Sequence, residues 1–219
     1  FTCDESNDAI RDTAKILTEE GVRGQYNIVG HDADEYPTPT VLAEDAVSHT
    51  LPAALFNTGI SRCLFATADD ELRPVMNGIY IDFDTESIAF VASDGHKLVC
   101  DRNSSYKSAE KSSVILPKRP SALLKSISGT EGDINVSFDK RCAMITANGY
   151  TMICRLIEGR YPNYNSVIPT NNPHRLMIDR AVLISALKRV SVFSPASSGL
   201  IRLRIKDNQL VISTTDLDF

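Results

Sequence analysis

The chain has 219 residues, 42% hydrophobic and 23% charged, ordinary proportions for a soluble globular protein of one large domain or two small ones. No apolar run approaches the ~18 residues that suggest a membrane span, no signal peptide opens the chain, and the first residue is Phe1, so we expect an excerpt of a longer cytoplasmic protein. The net charge of −5 argues against a single large basic face for nucleic acid, and five scattered cysteines (Cys3, Cys63, Cys100, Cys142, Cys154) argue against a disulfide framework or a zinc site.

Residues 1–38 read as strand pieces, with Gln25–Val29 alternating most clearly and Ala9–Leu17 open between strand and short helix. Thr38–Ser48 reads as a linker. Thr50-Leu51-Pro52 predicts the opening of a helix, with Thr50 as cap and an apolar stripe of Leu55, Phe56, Ile60, Cys63 and Leu64. Strands are expected at Ile79–Phe83, Ile88–Val91 and Lys97–Asp101, the last two meeting at an Asp94-Gly95 turn. After a Ser/Lys-rich loop, Ser113–Leu116 is a strand, and Lys118-Arg119-Pro120 starts a second helix carrying Ala122, Leu123, Leu124 and Ile127. Three further strands follow, Ile134–Phe138, Ala143–Thr146 and Tyr150–Ile157, the last pair joined by Asn148-Gly149. Asp179 caps a third helix carrying Ala181, Val182, Leu183, Ala186, Leu187 and Val190, and Leu200–Ile205 and Gln209–Ser213 form a hairpin.

The pattern repeats. The strand pair at 79–94 returns at 201–216, roughly 122 positions on, setting Ile81, Ile88, Phe90 and Asp94 on Leu203, Leu210, Ile212 and Asp216. The first helix returns from Ile178, and Tyr36-Pro37 matches Tyr161-Pro162. The chain therefore divides into the tail of one unit (1–46), a whole second unit (47–172) and the head of a third (173–219). Units of about 125 residues imply a parent near ~370.

Little here suggests catalysis. Ser93, Asp94 and His96 crowd into one turn, whereas a hydrolytic triad converges from separate elements, and no Gly-x-Ser-x-Gly elbow occurs. His31, His49 and His174 fall in expected loops. No phosphate-cradling glycine loop and no ligand-spaced His/Cys/Asp/Glu cluster is present, so neither a metal nor a cofactor is expected. Basic residues on or beside the helices (Arg62, Arg73, Lys118, Arg119, Lys125, Arg180, Lys188 and Arg189) are candidates for weak, sequence-independent contact with phosphates.

Three motifs in order carry a family resemblance: Arg73-Pro74-Val75-Met76-Asn77-Gly78, Ser93-Asp94-Gly95-His96-Lys97-Leu98, and Glu158-Gly159-Arg160-Tyr161-Pro162-Asn163-Tyr164 with Val167-Ile168-Pro169. Over roughly residues 22–219 the sequence resembles the bacterial sliding clamps, the β subunits of DNA polymerase III. The resemblance implies an α+β fold of repeated clamp domains, with helices lining the DNA side and antiparallel sheets outside. It implies a non-enzymatic processivity factor, a head-to-tail homodimer ring around double-stranded DNA. Its partners would be the DNA polymerase III catalytic subunit, the clamp loader and other clamp-motif proteins. By resemblance, Met76, Ser93, Gly95, His96, Lys97 and Leu98, extended by Pro162 and Val167, form one side of a pocket for short linear motifs, while Tyr26 and Ile28, opposite Val192 and Phe193, close the ring. Lys97 stands where many members carry Arg, and Ser166 where some carry a basic residue. Two other readings remain open: a small hydrolase using His96 and Asp94, and a repeat-built peptide scaffold with no DNA function.

Overall fold

The computed structural model describes residues 41–195, 198–206 and 209–215. The expected strand pieces before residue 41, including Tyr26 and Ile28, lie outside the described residues, as do Tyr36-Pro37, Asp207-Asn208 and Asp216. Contacts divide the chain into two compact units, Phe1–Asn165 and Ser166–Phe219.

In the first unit the described elements run β1 (Val47–Pro52), α1 (Ala53–Cys63), β2 (Gly78–Phe83), β3 (Ile88–Ser93), β4 (Leu98–Asn103), β5 (Ser112–Pro117), α2 (Lys118–Ile127), β6 (Asp133–Phe138), β7 (Cys142–Ala147) and β8 (Tyr150–Arg155). Strand, helix and three strands thus occur twice. The halves exchange their first strands: the antiparallel sheets run β4-β3-β2-β5 and β1-β6-β7-β8. Both helices and both sheets contribute to one core, including Phe56 and Ile60 of α1, Leu124 of α2, Ile81 and Phe90 of the first sheet, and Ile134 and Ile145 of the second. Asn57 ties the helices together, its Nδ2 donating to the Lys125 carbonyl at 2.9 Å and to Ser128 Oγ at 3.1 Å.

Three sequence expectations change here. Thr50-Leu51-Pro52 does not open a helix; it ends β1, which pairs with β6 in the register His49↔Val136 and Leu51↔Ile134. The helix begins at Ala53 with no side-chain cap, after an extended Pro52 (φ −58°, ψ 129°). His49 is not in a loop. It is buried, lies flat on Phe83 (centroids 3.8 Å apart, planes 3° apart), and has Tyr106 Oη 3.0 Å from Nδ1 and Ser112 Oγ 2.8 Å from Nε2. Those two partners make burial of an imidazole tolerable, because an unbonded one would lose its hydration without return. On α2, Leu124 is buried but Ala122 and Leu123 face solvent, with Ser121 taking the second buried place.

The second unit contains α3 (Arg180–Ser191) and an antiparallel hairpin of β9 (Arg202–Lys206) and β10 (Gln209–Ser213). Asp179 caps α3 as expected, accepting the Val182 N–H at 2.9 Å. The hairpin register carries the sequence repeat to the residue: Ile81↔Phe90 in the first unit corresponds to Leu203↔Ile212 in the second. Helix α3 has no buried residue, and Leu203 and Ile205 stand exposed on one face of β9.

Candidate functional site

Strand β3 is buried along its whole length, which explains its unbroken apolar run: Ile88, Phe90 and Ala92 enter the main core, while Ala89 and Val91 lie on the other face of the sheet. That other face is covered by the segment after β8. Ile157 donates its N–H to the Ile115 carbonyl at 3.1 Å, and Tyr161 stacks on Tyr80 (4.8 Å, 9°). Tyr164 donates to Asp82 Oδ2 at 3.0 Å and accepts from Arg102 Nη2 at 3.2 Å. Residues 156–165 therefore form a strap pinned across the sheet. Burial, with the Asp82 carboxylate next, pushes the Tyr164 phenol up to about 12, so it stays a donor at any physiological pH.

Beside the strap the β3–β4 turn is built largely by its own side chains. Ser93 Oγ donates to the Lys97 carbonyl at 2.9 Å and accepts the Gly95 N–H at 3.1 Å. Asp94 Oδ1 accepts the N–H groups of His96 and Lys97, both at 2.9 Å, and Oδ2 takes the Lys97 ammonium. The Lys97 ammonium first, then the two backbone donors, hold the Asp94 carboxyl well below the usual carboxylate range. Both oxygens of Asp94 are thus committed to the turn. It does not orient the His96 imidazole, and Ser93 Oγ is likewise spent on the backbone, so these three residues do not form the relay a hydrolase needs.

Gly95 is exposed, with φ +89°, a conformation that favours glycine. Arg73 Nη1 lies 2.4 Å from where a Cβ on Gly95 would stand, and Arg73 Nε donates to Asp70 Oδ2 at 2.8 Å. Arg73, one of the basic residues expected on or beside the helices, lies outside α1, α2 and α3. It precedes the short 3-10 turn Pro74–Met76 and lies over the β3–β4 turn. Met76 is half-buried in that 3-10 turn. Leu98 packs with Val75, Tyr80 and Tyr161 in one apolar cluster, so the first-unit residues singled out by sequence border that cluster from two sides: Leu98 in the turn and Pro162, exposed, beside Tyr161 on the strap. Val167 falls in the second unit and is 65% exposed.

A cavity of about 760 Å³ lies elsewhere. It opens between the strap, the outer edge of β5 at Ser113 and Ile115, and the β6–β7 turn at Asp139 and Lys140, and none of Ser93–Leu98 lines it. Tyr80, Asp82, Arg102, Tyr161 and Tyr164, which fix the strap, were missed by sequence reasoning. The available signal was the pair of tyrosines three apart around Pro162, the spacing of a segment that presses one side onto a surface.

The remaining candidates lie on or just past the three helices. Arg62 is exposed on α1 and ion-pairs with Asp101 at 2.8 Å. Lys118 opens α2 and pairs with Asp69. Arg119 and Lys125 are exposed on α2. In the second unit Arg180, Lys188 and Arg189 are exposed on α3, Arg189 donating to Ser185 Oγ at 2.9 Å. Val192 and Phe193, just past α3, are 77% and 73% exposed. Among the described residues no three or more His, Cys, Asp or Glu side chains gather as metal ligands, and no helix is long and apolar enough to cross a membrane.

Comparison with known proteins gives a consistent set. The family model for the DNA polymerase III beta subunit, central domain, matches residues 50–163, just over half of the chain. The beta sliding clamp of Synechococcus elongatus is 28% identical over 222 residues, covering 98% of this chain and 59% of its own length. That of Staphylococcus aureus is 28% identical over 194 residues, covering 87% and 51%. Two solved structures share the fold at a TM-score of 0.83. One is the DNA polymerase III beta subunit of Thermotoga maritima (23% identity; 98% of this chain, 57% of that one). The other is the Pseudomonas aeruginosa sliding clamp bound to griselimycin (21%; 95% and 56%). The chain thus spans between about half and three-fifths of the proteins it matches.

Proposed function

Because the chain belongs to the family of DNA polymerase III beta subunits, we propose that it is part of a sliding clamp, a non-catalytic ring that encircles double-stranded DNA in the cytoplasm and holds the replicative polymerase to its template. In this reading residues 47–172 are the central clamp domain, 1–46 the end of the preceding one and 173–219 the start of the next. The observation that carries it is the family match across residues 50–163, which takes in the β3–β4 turn and most of the strap. The open turn at Gly95, with Leu98 anchored in the apolar cluster under the strap, then serves as one wall of a dock for extended peptide motifs. Partner proteins, the polymerase catalytic subunit and the clamp loader among them, would insert one or two apolar side chains there. His96 and Lys97 would supply a polar rim.

The exposed basic side chains of α1, α2 and α3 support contact with phosphates that does not read sequence, an arrangement compatible with sliding. Arg73 is the exception: its place over Gly95 favours the peptide dock over the DNA side. The exposed Val192-Phe193 pair supports a subunit contact at the end of α3, its counterpart being Tyr26 and Ile28. A ring is tested by topology. Loaded by the clamp loader, the protein should stay on closed circular DNA through a high-salt wash and be lost when the circle is cut. Retention that ignores linearisation would instead favour direct DNA binding, and no retention on either form would favour a peptide scaffold.

A further inference from the structure

The chain contains two Asn-Gly steps, Asn77-Gly78 and Asn148-Gly149. Such a step is open to attack from within, because glycine has no side chain to shield its nitrogen from the asparagine amide carbon beside it. The fold treats the two steps differently. Asn77 is fastened at every polar group. Its Oδ1 accepts the Asp70 N–H and its Nδ2 donates to the Asp70 carbonyl, both at 3.0 Å. Its own N–H donates to the Pro74 carbonyl and its carbonyl accepts the Lys118 N–H, again at 3.0 Å. Gly78 is buried, and a Cβ there would meet the Leu116 carbonyl oxygen at 2.5 Å.

Asn148 is the reverse. It is exposed at the tip of the β7–β8 hairpin, where the pairing Ala147↔Tyr150 leaves Asn148 and Gly149 as a two-residue loop. Among the described residues no hydrogen bond holds its side-chain amide, and the Gly149 N–H has no acceptor. A Cβ on Gly149 would meet nothing within 4 Å. The Asn148 amide leans over Gly129, its Nδ2 lying 3.1 Å from where a Cβ on that glycine would stand. Gly129 (φ +65°) follows Ser128, the residue that closes α2.

We propose that Asn148 is a site of spontaneous deamidation, and that the acid formed there loosens the β7–β8 hairpin from the end of α2. The Gly149 nitrogen gives its proton to solvent and attacks Asn148 Cγ. A Cγ–N bond forms, the Cγ–Nδ2 bond breaks, and Nδ2 leaves as ammonia, closing a succinimide ring. Water then opens the ring at either carbonyl, giving aspartate or isoaspartate. One water is consumed and one ammonia released, with nothing oxidised or reduced. Either product puts a carboxylate in place of an uncharged amide beside the last carbonyls of α2, the negative end of the helix. Isoaspartate also adds one carbon to the main chain of a loop whose length sets the register Thr146↔Thr151.

Trypsin separates the two sites, because Cys63–Lys97 holds Asn77 as its sole asparagine and Cys142–Arg155 holds only Asn148. The native protein is kept at pH 8 and 37 °C, folded or in urea, and both peptides are followed by mass spectrometry. In urea both should convert at similar rates, since local sequence alone then governs. In the folded protein Cys142–Arg155 should gain the mass of an amide-to-acid change and split into two chromatographic forms. It should do so more than about tenfold faster than Cys63–Lys97, because Asn77 reacts only through local opening. Equal rates in the folded protein overturn the proposal, as does an Asn148 peptide that converts in urea yet stays intact when folded. Asn148→Asp reproduces the charge without the extra carbon and should lower the thermal midpoint by about 1–4 °C. An aspartate variant as stable as the native protein overturns the claim that the product loosens the hairpin.

Discussion

Replacing Gly95 with alanine tests the turn at its most constrained point. The φ of +89° places any L side chain in a disfavoured region, at a cost of about 1–2 kcal/mol. A Cβ there would also meet Arg73 Nη1 at 2.4 Å, but that atom is the end of a flexible side chain 47% exposed, so it can move aside at little cost. The backbone conformation should therefore dominate the loss. For a unit of this size it amounts to a drop of about 2–8 °C in thermal midpoint. The chain has no tryptophan, so far-UV circular dichroism during thermal and urea denaturation is the suitable assay. Gly95→Asn, which tolerates positive φ better, should lose less, and adding Arg73→Ala to Gly95→Ala should not restore stability. An alanine variant as stable as the native protein, or full rescue by Arg73→Ala, would refute the reasoning.

Two other outcomes follow from the geometry. Tyr164→Phe removes the bonds to Asp82 and Arg102, and should cost about 0.5–1.5 kcal/mol in urea unfolding and speed amide exchange across residues 161–165. Burial lowers the His49 pKa below 6.5, so the folded state prefers the neutral ring while the unfolded chain takes up the proton first. Stability is then complete above about pH 6.5 and falls as the pH drops from there toward the folded-state value. Denaturation midpoints measured from pH 7.5 down to 5 should decline for the native protein and decline less for His49→Phe.

Local chemistry made part of this fold legible. Asn148-Gly149 announced a hairpin, and both residues do adopt positive φ (55° and 80°). Asp179 announced a helix start, and an offset of about 122 positions in the sequence matches the hairpin register of the second unit. What stayed hidden depends on partners distant in sequence. Thr50-Leu51-Pro52 carries the letters of a helix start, yet pairing with β6 overrides that local preference. The burial alternation of β1 was masked because one of its inward residues is His49, polar in composition but core by virtue of Phe83, Tyr106 and Ser112, which lie 34 to 63 positions away. In the candidate site the turn was readable because its bonds run between residues at most four apart. The strap was not, because the partners of Tyr161 and Tyr164 sit 81 and 82 positions earlier, at Tyr80 and Asp82. The place of Arg73 over Gly95 was hidden for the same reason, since only the folded chain brings the two together.

The account stands most directly on where a client peptide lands. Backbone amide shifts of the isotopically labelled protein, recorded as the tightest-binding of a set of overlapping peptides tiled across the polymerase III catalytic subunit is added, locate it without prior choice of site. The account predicts the largest shifts at Gly95–Leu98, Met76 and Tyr161. Shifts confined to the cavity walls at Ser113, Asp139 and Lys140, with the β3–β4 turn unmoved, would contradict it.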